Sequence, residues 1–352
     1  MTILRSVRPG GTLLAGLIAV LLVLPALAPA FFINFVMTKT LVLGIAAASI
    51  VFLARYGGLV SLAQFLFFGV GGFMYGNAVL EDGSRGLNLG MSPWAAVVFA
   101  IVVTTAVACV LGALASRMTG LYFLMLTMVY TVIGFFVFAQ IVEISGPGGL
   151  TSIPRPELMA PPVSLYYAAL AVSVVAYVGF RALGRTPFGL TLQGVRDDPL
   201  RMASLGFNVP LHRTAAFTLA GFVAGLAGVL NVWWNGQIDP ASIALDPSLI
   251  LLIMAVIGGI SYFEGAWLGA FVYVLVFTYL RDVPLLDQIG ITEARLNTVI
   301  GAVVLLIMVL SPEGLAGIAE QVRRRVRATR TRHSAVADDA RPTLTTPTGE
   351  QS

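Results

Sequence analysis

Side chains able to do chemistry are scarce in this sequence, and they gather between apolar stretches rather than within them. The densest set runs from Arg181 to Arg213, where five arginines (Arg181, Arg185, Arg196, Arg201, Arg213) stand with two aspartates, Asp197 and Asp198. Asp198 followed by Pro199 reads as a helix N-cap with proline at the first helical position, and Gly206 as the stop. A short surface helix is therefore expected over 199–205. Nothing in the set suits covalent catalysis or metal binding. The only histidines are His212 and His333, and the single cysteine, Cys109, lies in an apolar run. No His, Cys, Asp and Glu cluster has metal-ligand spacing, so no catalytic residue and no metal ligand is assigned.

Nucleotide chemistry can be tested directly. A phosphate-binding loop of the G-x-x-x-x-G-K-[ST] kind needs a lysine to reach the β- and γ-phosphates. The only lysine is Lys39, and Lys39-Thr40 has the right ending, but Thr38 stands where glycine is required. The chain does not hydrolyse ATP by that route. If ATP drives it, the ATP and its magnesium sit on another subunit.

Polar residues inside the apolar stretches are Ser61, Gln64, Thr127, Thr131, Thr218 and Asn231, with hydroxyls from Tyr122, Tyr130 and Tyr167. In a helix bundle such groups bond to neighbouring helices as often as to a cargo, and packing is the better bet for any single one. Two glycine-containing stretches, Gly57–Gln64 and Gly146–Ile153, could break helices within the membrane. Backbone N–H groups freed at a half-helix start suit a carboxylate. The candidate translocation path is therefore Gly57, Gly58, Ser61, Gln64, Tyr122, Thr127, Gly148, Gly149 and Asn231.

The elements that position these groups follow from composition. Hydrophobic residues make up 58% of the 352 and charged residues 11%, against about one-quarter charged in soluble domains. The chain is read as an all-α polytopic membrane protein. Spans of ~20 apolar residues fall at about 12–31, 36–54, 59–80, 93–115, 120–142, 163–183, 214–234 and 295–312, with 248–281 split at Ser261–Gly265 into two short ones, ten in all. With the N-terminus inside, Arg5, Arg8, Arg55, Arg117 and the central basic stretch are cytoplasmic, and so are the six arginines of 323–332. The division is a cytoplasmic N-terminus (1–11), a transmembrane domain (12–318) and a tail (319–352), basic at first and then disordered. The arginine run is read as a topology anchor rather than a lipid-binding site. The net charge of +4 is a topology signal and does not argue for nucleic acid.

Glycines recur at packing distance in Gly72/Gly76, Gly221/Gly225 and Gly265/Gly269, where tight helix contact is the plainer reading. Gly57-Gly58 and Gly258-Gly259 each close a span and precede a serine, a short match that could mark an internal repeat. No carboxylate lies within a span, Glu264 being placed at an inner turn, which disfavours ion-coupled transport. A secondary carrier or facilitator and a non-transporting scaffold remain the readings from other classes.

Taken together, these blocks resemble the LivM-type membrane permease subunit of branched-chain amino acid ABC importers. The resemblance rests on TPFGLTLQGVRDDPLRMASLGFNV (186–209) with AFTLAGFVAGLAGVL (216–230), on YGGLVSLAQFLFFGVGGF (56–73), and on GLYFLMLT (120–127) and GPGGLTSIP (146–154). VIGGISYFEGAWLGA (256–270) and SPEGLAGI (311–318) complete it. It departs from the family at Ala63, where glycine is usual, at Gln64, where histidine is common, and at Tyr262–Glu264, where residues are smaller. The resemblance implies a cytoplasmic coupling helix docking into an ATPase subunit through Arg196, Asp197, Asp198, Pro199, Leu200, Ala203, Leu205 and Gly206. It also implies two ATPases, a second homologous permease chain, a soluble substrate-binding protein, and multi-pass placement in a bacterial inner membrane with both termini cytoplasmic. Closely similar permeases carry urea or short-chain amides.

Overall fold

The computed structural model describes residues 19–27, 29–81, 86–146, 148–281, 301 and 314–317. The start of the first expected span, the tenth span apart from residue 301, and the arginine-rich tail lie outside them. The described residues are overwhelmingly helical, with one isolated antiparallel bridge, Leu150 to Ile238. Ten helices organise them: α1 (Phe32–Gly57), α2 (Gln64–Val79), α3 (Pro93–Ala115), α4 (Gly120–Gln140), α5 (Pro162–Leu183), α6 (Pro187–Asp197), α7 (Pro199–Ser204), α8 (Val209–Asn235), α9 (Leu245–Gly258) and α10 (Phe263–Arg281). Five of them (α1, α3, α4, α5 and α8) are long and apolar enough to cross a bilayer, and the α9–α10 pair makes a sixth if counted as one broken span.

Two helices form the centre. The first, α1, is almost wholly buried and packs against α5, α8, α9 and α10. The second, α8, packs against α1, α2 and α3. Sequence explains the α3 contact. Its buried positions are Ala96, Ala100, Thr104, Ala108, Gly112 and Ala115, small residues spaced by four and then three. Its large residues, Val98, Val102, Val110 and Leu114, point outward and are exposed. Small residues inside and large aliphatics outside is the pattern of a helix that meets lipid on one face and a close neighbour on the other. The neighbour's small residues match: a Cβ on Gly221 would meet Ala108 at 2.5 Å, and one on Gly225 would meet Thr104 at 2.7 Å.

The expected third span is shorter than the sequence suggested. Residues 58–63 are not helical, and α2 starts only at Gln64, too short to count as a spanning helix by itself. The glycine pairs behave alike. Gly58 (φ 65°) closes α1, Gly259 (φ 106°) closes α9, and each is followed by a short irregular stretch and then a new helix. Between α9 and α10 the chain bends by 118°. Their contact is backbone on backbone: a Cβ on Gly269 would lie 1.8 Å from the Met254 carbonyl oxygen, and one on Gly258 would lie 1.7 Å from that of Gly265. Glycine is required there because any side chain would hold the two helices apart.

Lys39 sits in the first turns of α1 with its ammonium 5.6 Å from the Trp234 ring and 5.5 Å from the Phe277 ring. The aromatic faces offset part of the cost of holding a charge at that depth.

Candidate functional site

The central polar stretch forms two helices joined at Asp198. Thr186 caps α6, its hydroxyl accepting from the Gly189 N–H, and the Asp198 carboxylate caps α7 by accepting from the Arg201 N–H at 3.0 Å. The helix expected over 199–205 is thus present as α7, with its N-cap at Asp198 and Gly206 (φ 88°) just past its end. Helix α6 turns Gly189, Leu192 and Val195 into the protein. Helix α7 buries no residue, and Leu200 (83% exposed), Ala203, Leu205 and Gly206 face outward. Two large aliphatic side chains, Leu200 and Leu205, thus stand free at this capped helix pair, whose arginines Arg196 and Arg201 are balanced by Asp197 and Asp198.

The same helix pair is tied to two other elements. The Arg196 guanidinium donates to the backbone carbonyl of Arg55 in the last turn of α1, while Asp197, 2.8 Å away, pairs with it and fixes its direction. Gly58 lies directly against the Arg196 side chain, where a Cβ would come within 2.5 Å of its Cγ. The Arg55 guanidinium in turn donates to the Ser261 carbonyl at 2.7 Å, in the break between α9 and α10, and lies 5.2 Å from the Phe263 ring. A cation hydrogen-bonded to the carbonyls at a helix end is favoured by the helix dipole as well as by the bond. On the far side of the break, Glu264 pairs with Arg181 at 3.2 Å and accepts from the Tyr177 hydroxyl, both on α5. Its charge is thereby matched, which accounts for the one acid placed at an inner turn. The pair is about half exposed and so contributes little to stability.

Sequence reading did not identify Arg55, Ser261 or the Tyr177–Arg181–Glu264 group as parts of this site. Their partners are 206, 141 and 83 residues apart in the chain, and no local period reports such pairings. The available signals were Arg55 as a lone cation beside a glycine pair and Glu264 as a lone acid at an inner turn.

The candidate path residues divide into three groups. Ser61, Gln64 and Thr127 come together around the start of α2, all fully buried, with Gly57 and Gly58 just before them. There the Leu62 N–H donates to Thr127 Oγ1 at 3.2 Å, Thr131 Oγ1 donates to the Leu62 carbonyl at 3.1 Å, and the Ala63 N–H donates to Ser61 Oγ at 3.1 Å. Gly148 and Gly149 lie at the opposite end of α2, in a loop laid over Gly76: Leu150 pairs with Ile238 there, and the Ile153 N–H donates to the Gly236 carbonyl. Asn231, half-buried on α8, lies toward that same end. Tyr122 belongs to neither group. It is 74% exposed on α4, away from the bundle interior. Among the described residues no group of His, Cys, Asp and Glu could hold a metal ion.

A bundle of long apolar helices around two buried central ones, with glycine-packed broken helices, defines a multi-pass membrane protein. Residues 32–310 match the family model described as branched-chain amino acid transport system / permease component, and the chain belongs to that family. It is 25% identical over 285 residues to the high-affinity branched-chain amino acid transport system permease protein LivM of Salmonella typhimurium, covering 73% of this chain and 65% of the relative. The LivM protein of Escherichia coli matches at the same identity and coverage. A probable LivM permease of Methanocaldococcus jannaschii is 24% identical over 180 residues, 48% of this chain and 52% of the relative. The chain thus spans about two-thirds, or less, of the length of these curated relatives. No solved structure matches it.

Proposed function

We propose that the chain is the membrane permease subunit of an ATP-binding-cassette importer that moves branched-chain amino acids across a bacterial inner membrane. Two cytoplasmic ATPase subunits, which bind ATP and magnesium, supply the energy. A second homologous permease and a soluble substrate-binding protein complete the assembly. In this reading the chain crosses the membrane ten times, counting the spans outside the described residues and taking α9 and α10 as two short ones. The α6–α7 face is cytoplasmic, as are both termini, because the arginines gather on those segments. The chain itself is a transport subunit, with hydrolysis on its partners.

The observation that carries the proposal is the exposed α7 surface joined through Arg196 and Arg55 to the break at Ser261. The exposed α7 follows directly on α6, which is hydrogen-bonded to α1, and α1 in turn holds the α9–α10 break, so the pair is placed to pass a partner's movement into the bundle. Transport then follows from switching between two packings of the spans.

Uptake of labelled leucine, with labelled urea in parallel, tests the reading in cells with and without this chain and with and without the ATPase subunits. Leucine uptake is expected to fall to background in both deletions while urea uptake holds. Loss of urea uptake alone would keep the architecture and move the cargo to urea and amides. Uptake that survived loss of the ATPase and followed an ion gradient would sink the importer in favour of a secondary carrier.

Asp198→Ala leaves the Arg201 N–H without its acceptor, a loss of about 1 kcal/mol in a six-residue helix with no buried face to hold it. The expected result is faster amide exchange over 199–204, unchanged exchange in α8, and weaker ATPase binding.

A further inference from the structure

The start of α2 is unlike other helix starts in the bundle. It lies within the protein, not at a surface, with Ser61, Ala63 and Gln64 all at 0% exposure. No side chain caps it, and no hydrogen bond reaches the N–H groups of Gln64, Phe65 or Leu66 from the described residues. A buried N–H without an acceptor is costly, and in a membrane interior no solvent relieves it.

A second feature meets it there. One end of the Gln64 amide has no partner among the described residues, although the side chain is fully buried. As placed, Oε1 faces Ser49 Oγ at 3.2 Å and Nε2 is the free atom. Ser49 Oγ has one hydrogen, and it is committed to the Ala46 carbonyl at 2.6 Å. The serine oxygen can then only accept, so the consistent amide orientation turns Nε2 toward Ser49 and leaves Oε1 free. At the first position of α2 the side chain leans back toward the helix start. The residue that opens α2 thus brings a buried, unbonded amide oxygen to a helix start whose first three backbone donors are unpaired and carry the positive end of the helix dipole.

We propose that this is the cargo subsite, and that it is built for the zwitterionic head of an α-amino acid. The carboxylate would take the N–H groups of Gln64, Phe65 and Leu66, and the α-ammonium the Gln64 Oε1. Resting on the transport function proposed above, this narrows the cargo class: urea and simple amides lack the anionic group the three donors require. The subsite is closed in this structure. The Leu62 backbone is bonded to Thr127 and Thr131 of α4, and the Leu66 side chain is seated against Gly134, so α4 packs directly on this helix start. Movement of α4 away from the start of α2 is the opening that a cargo needs.

The test uses the assembled complex in proteoliposomes with its binding protein, comparing wild type with Gln64→Leu and Gln64→Met. Three quantities are measured: leucine moved per ATP hydrolysed, the KM for leucine-loaded binding protein, and the Tm of the chain. Removing a half-satisfied buried amide relieves strain in the empty state, so Tm is expected to hold or rise. Leucine moved per ATP should nonetheless fall at least ten-fold in both variants, with KM and ATPase rate near wild type. Gln64→Glu, which keeps an acceptor oxygen, should recover part of the loss. Wild-type transport in Gln64→Leu would overturn the subsite, as would a marked drop in Tm in both variants, since the amide would then be a structural bond. Absence of leucine uptake by the wild-type complex would remove the transport reading itself, a result these variants leave separate.

Discussion

Arg55→Ala is expected to leave an inserted, assembled permease whose ATPases still hydrolyse ATP while cargo moved per ATP falls at least ten-fold. The Arg55 side chain is the link between two halves of a path. Its carbonyl receives the Arg196 guanidinium from α6, and its own guanidinium holds the Ser261 carbonyl in the α9–α10 break and lies over Phe263. Truncation removes the second half and leaves the proposed docking surface, about the exposed Leu200 and Leu205, untouched. Arg55→Lys separates bond from geometry. A lysine can still reach a carbonyl, but it lacks the planar fork that hydrogen-bonds and lies over a ring at once, so partial coupling is expected. Asp197→Arg should uncouple through the other half, because Asp197 directs the Arg196 guanidinium from 2.8 Å. Proteoliposome uptake measured alongside phosphate release checks all three. Tight coupling in Arg55→Ala would show that α7 acts on the spans by another route.

Gly228→Leu is expected to prevent the chain from reaching its folded form at all. A Cβ at this position would lie 1.8 Å from the Phe68 carbonyl oxygen, and one on nearby Gly71 would lie 2.5 Å from that of Gly225. Here α2 and α8 meet backbone to backbone, so there is no side chain to move aside. Even ordinary overpacking costs about 1–3 kcal/mol, and a leucine here must separate two helices of the core. Gly179→Leu is the control. On α5 a Cβ at Gly179 meets nothing within 4 Å, and the change should be nearly silent. Fluorescence-detected size-exclusion after detergent extraction distinguishes the two, with a folded peak for Gly179→Leu and aggregate or no protein for Gly228→Leu. A monodisperse Gly228→Leu peak at wild-type yield would mean that α2 and α8 do not approach this closely.

Much of this was legible in the chain. The α7 cap at Asp198 and its end near Gly206 follow from local rules, because a cap is satisfied within three or four residues. The limits of α3, α4 and α5 fall within two residues of the expected spans, since length and apolarity alone set them. The glycine spacings on α8 and α10 signalled close packing, and close packing is what they make. The short α2 was not legible, because its start is decided by where the backbone turns after Gly58 and not by a change in hydropathy. The exposed position of Tyr122 was not legible either, because the face it occupies on α4 depends on which neighbours α4 has.

Sequence by itself determined that this is a multi-pass helical membrane protein and that its basic stretch carries a capped helix. Each of these depends on composition or on residues a few positions apart. Tertiary structure alone decided that Arg196 bonds to Arg55, Arg55 to Ser261, and Glu264 to Tyr177 and Arg181. It also decided that Gln64 stands half-satisfied beside an uncapped helix start. The reason is physical: in a bundle of uniformly apolar helices, hydropathy does not encode which polar group meets which. Those pairings are set by close approach of small residues far apart in the chain.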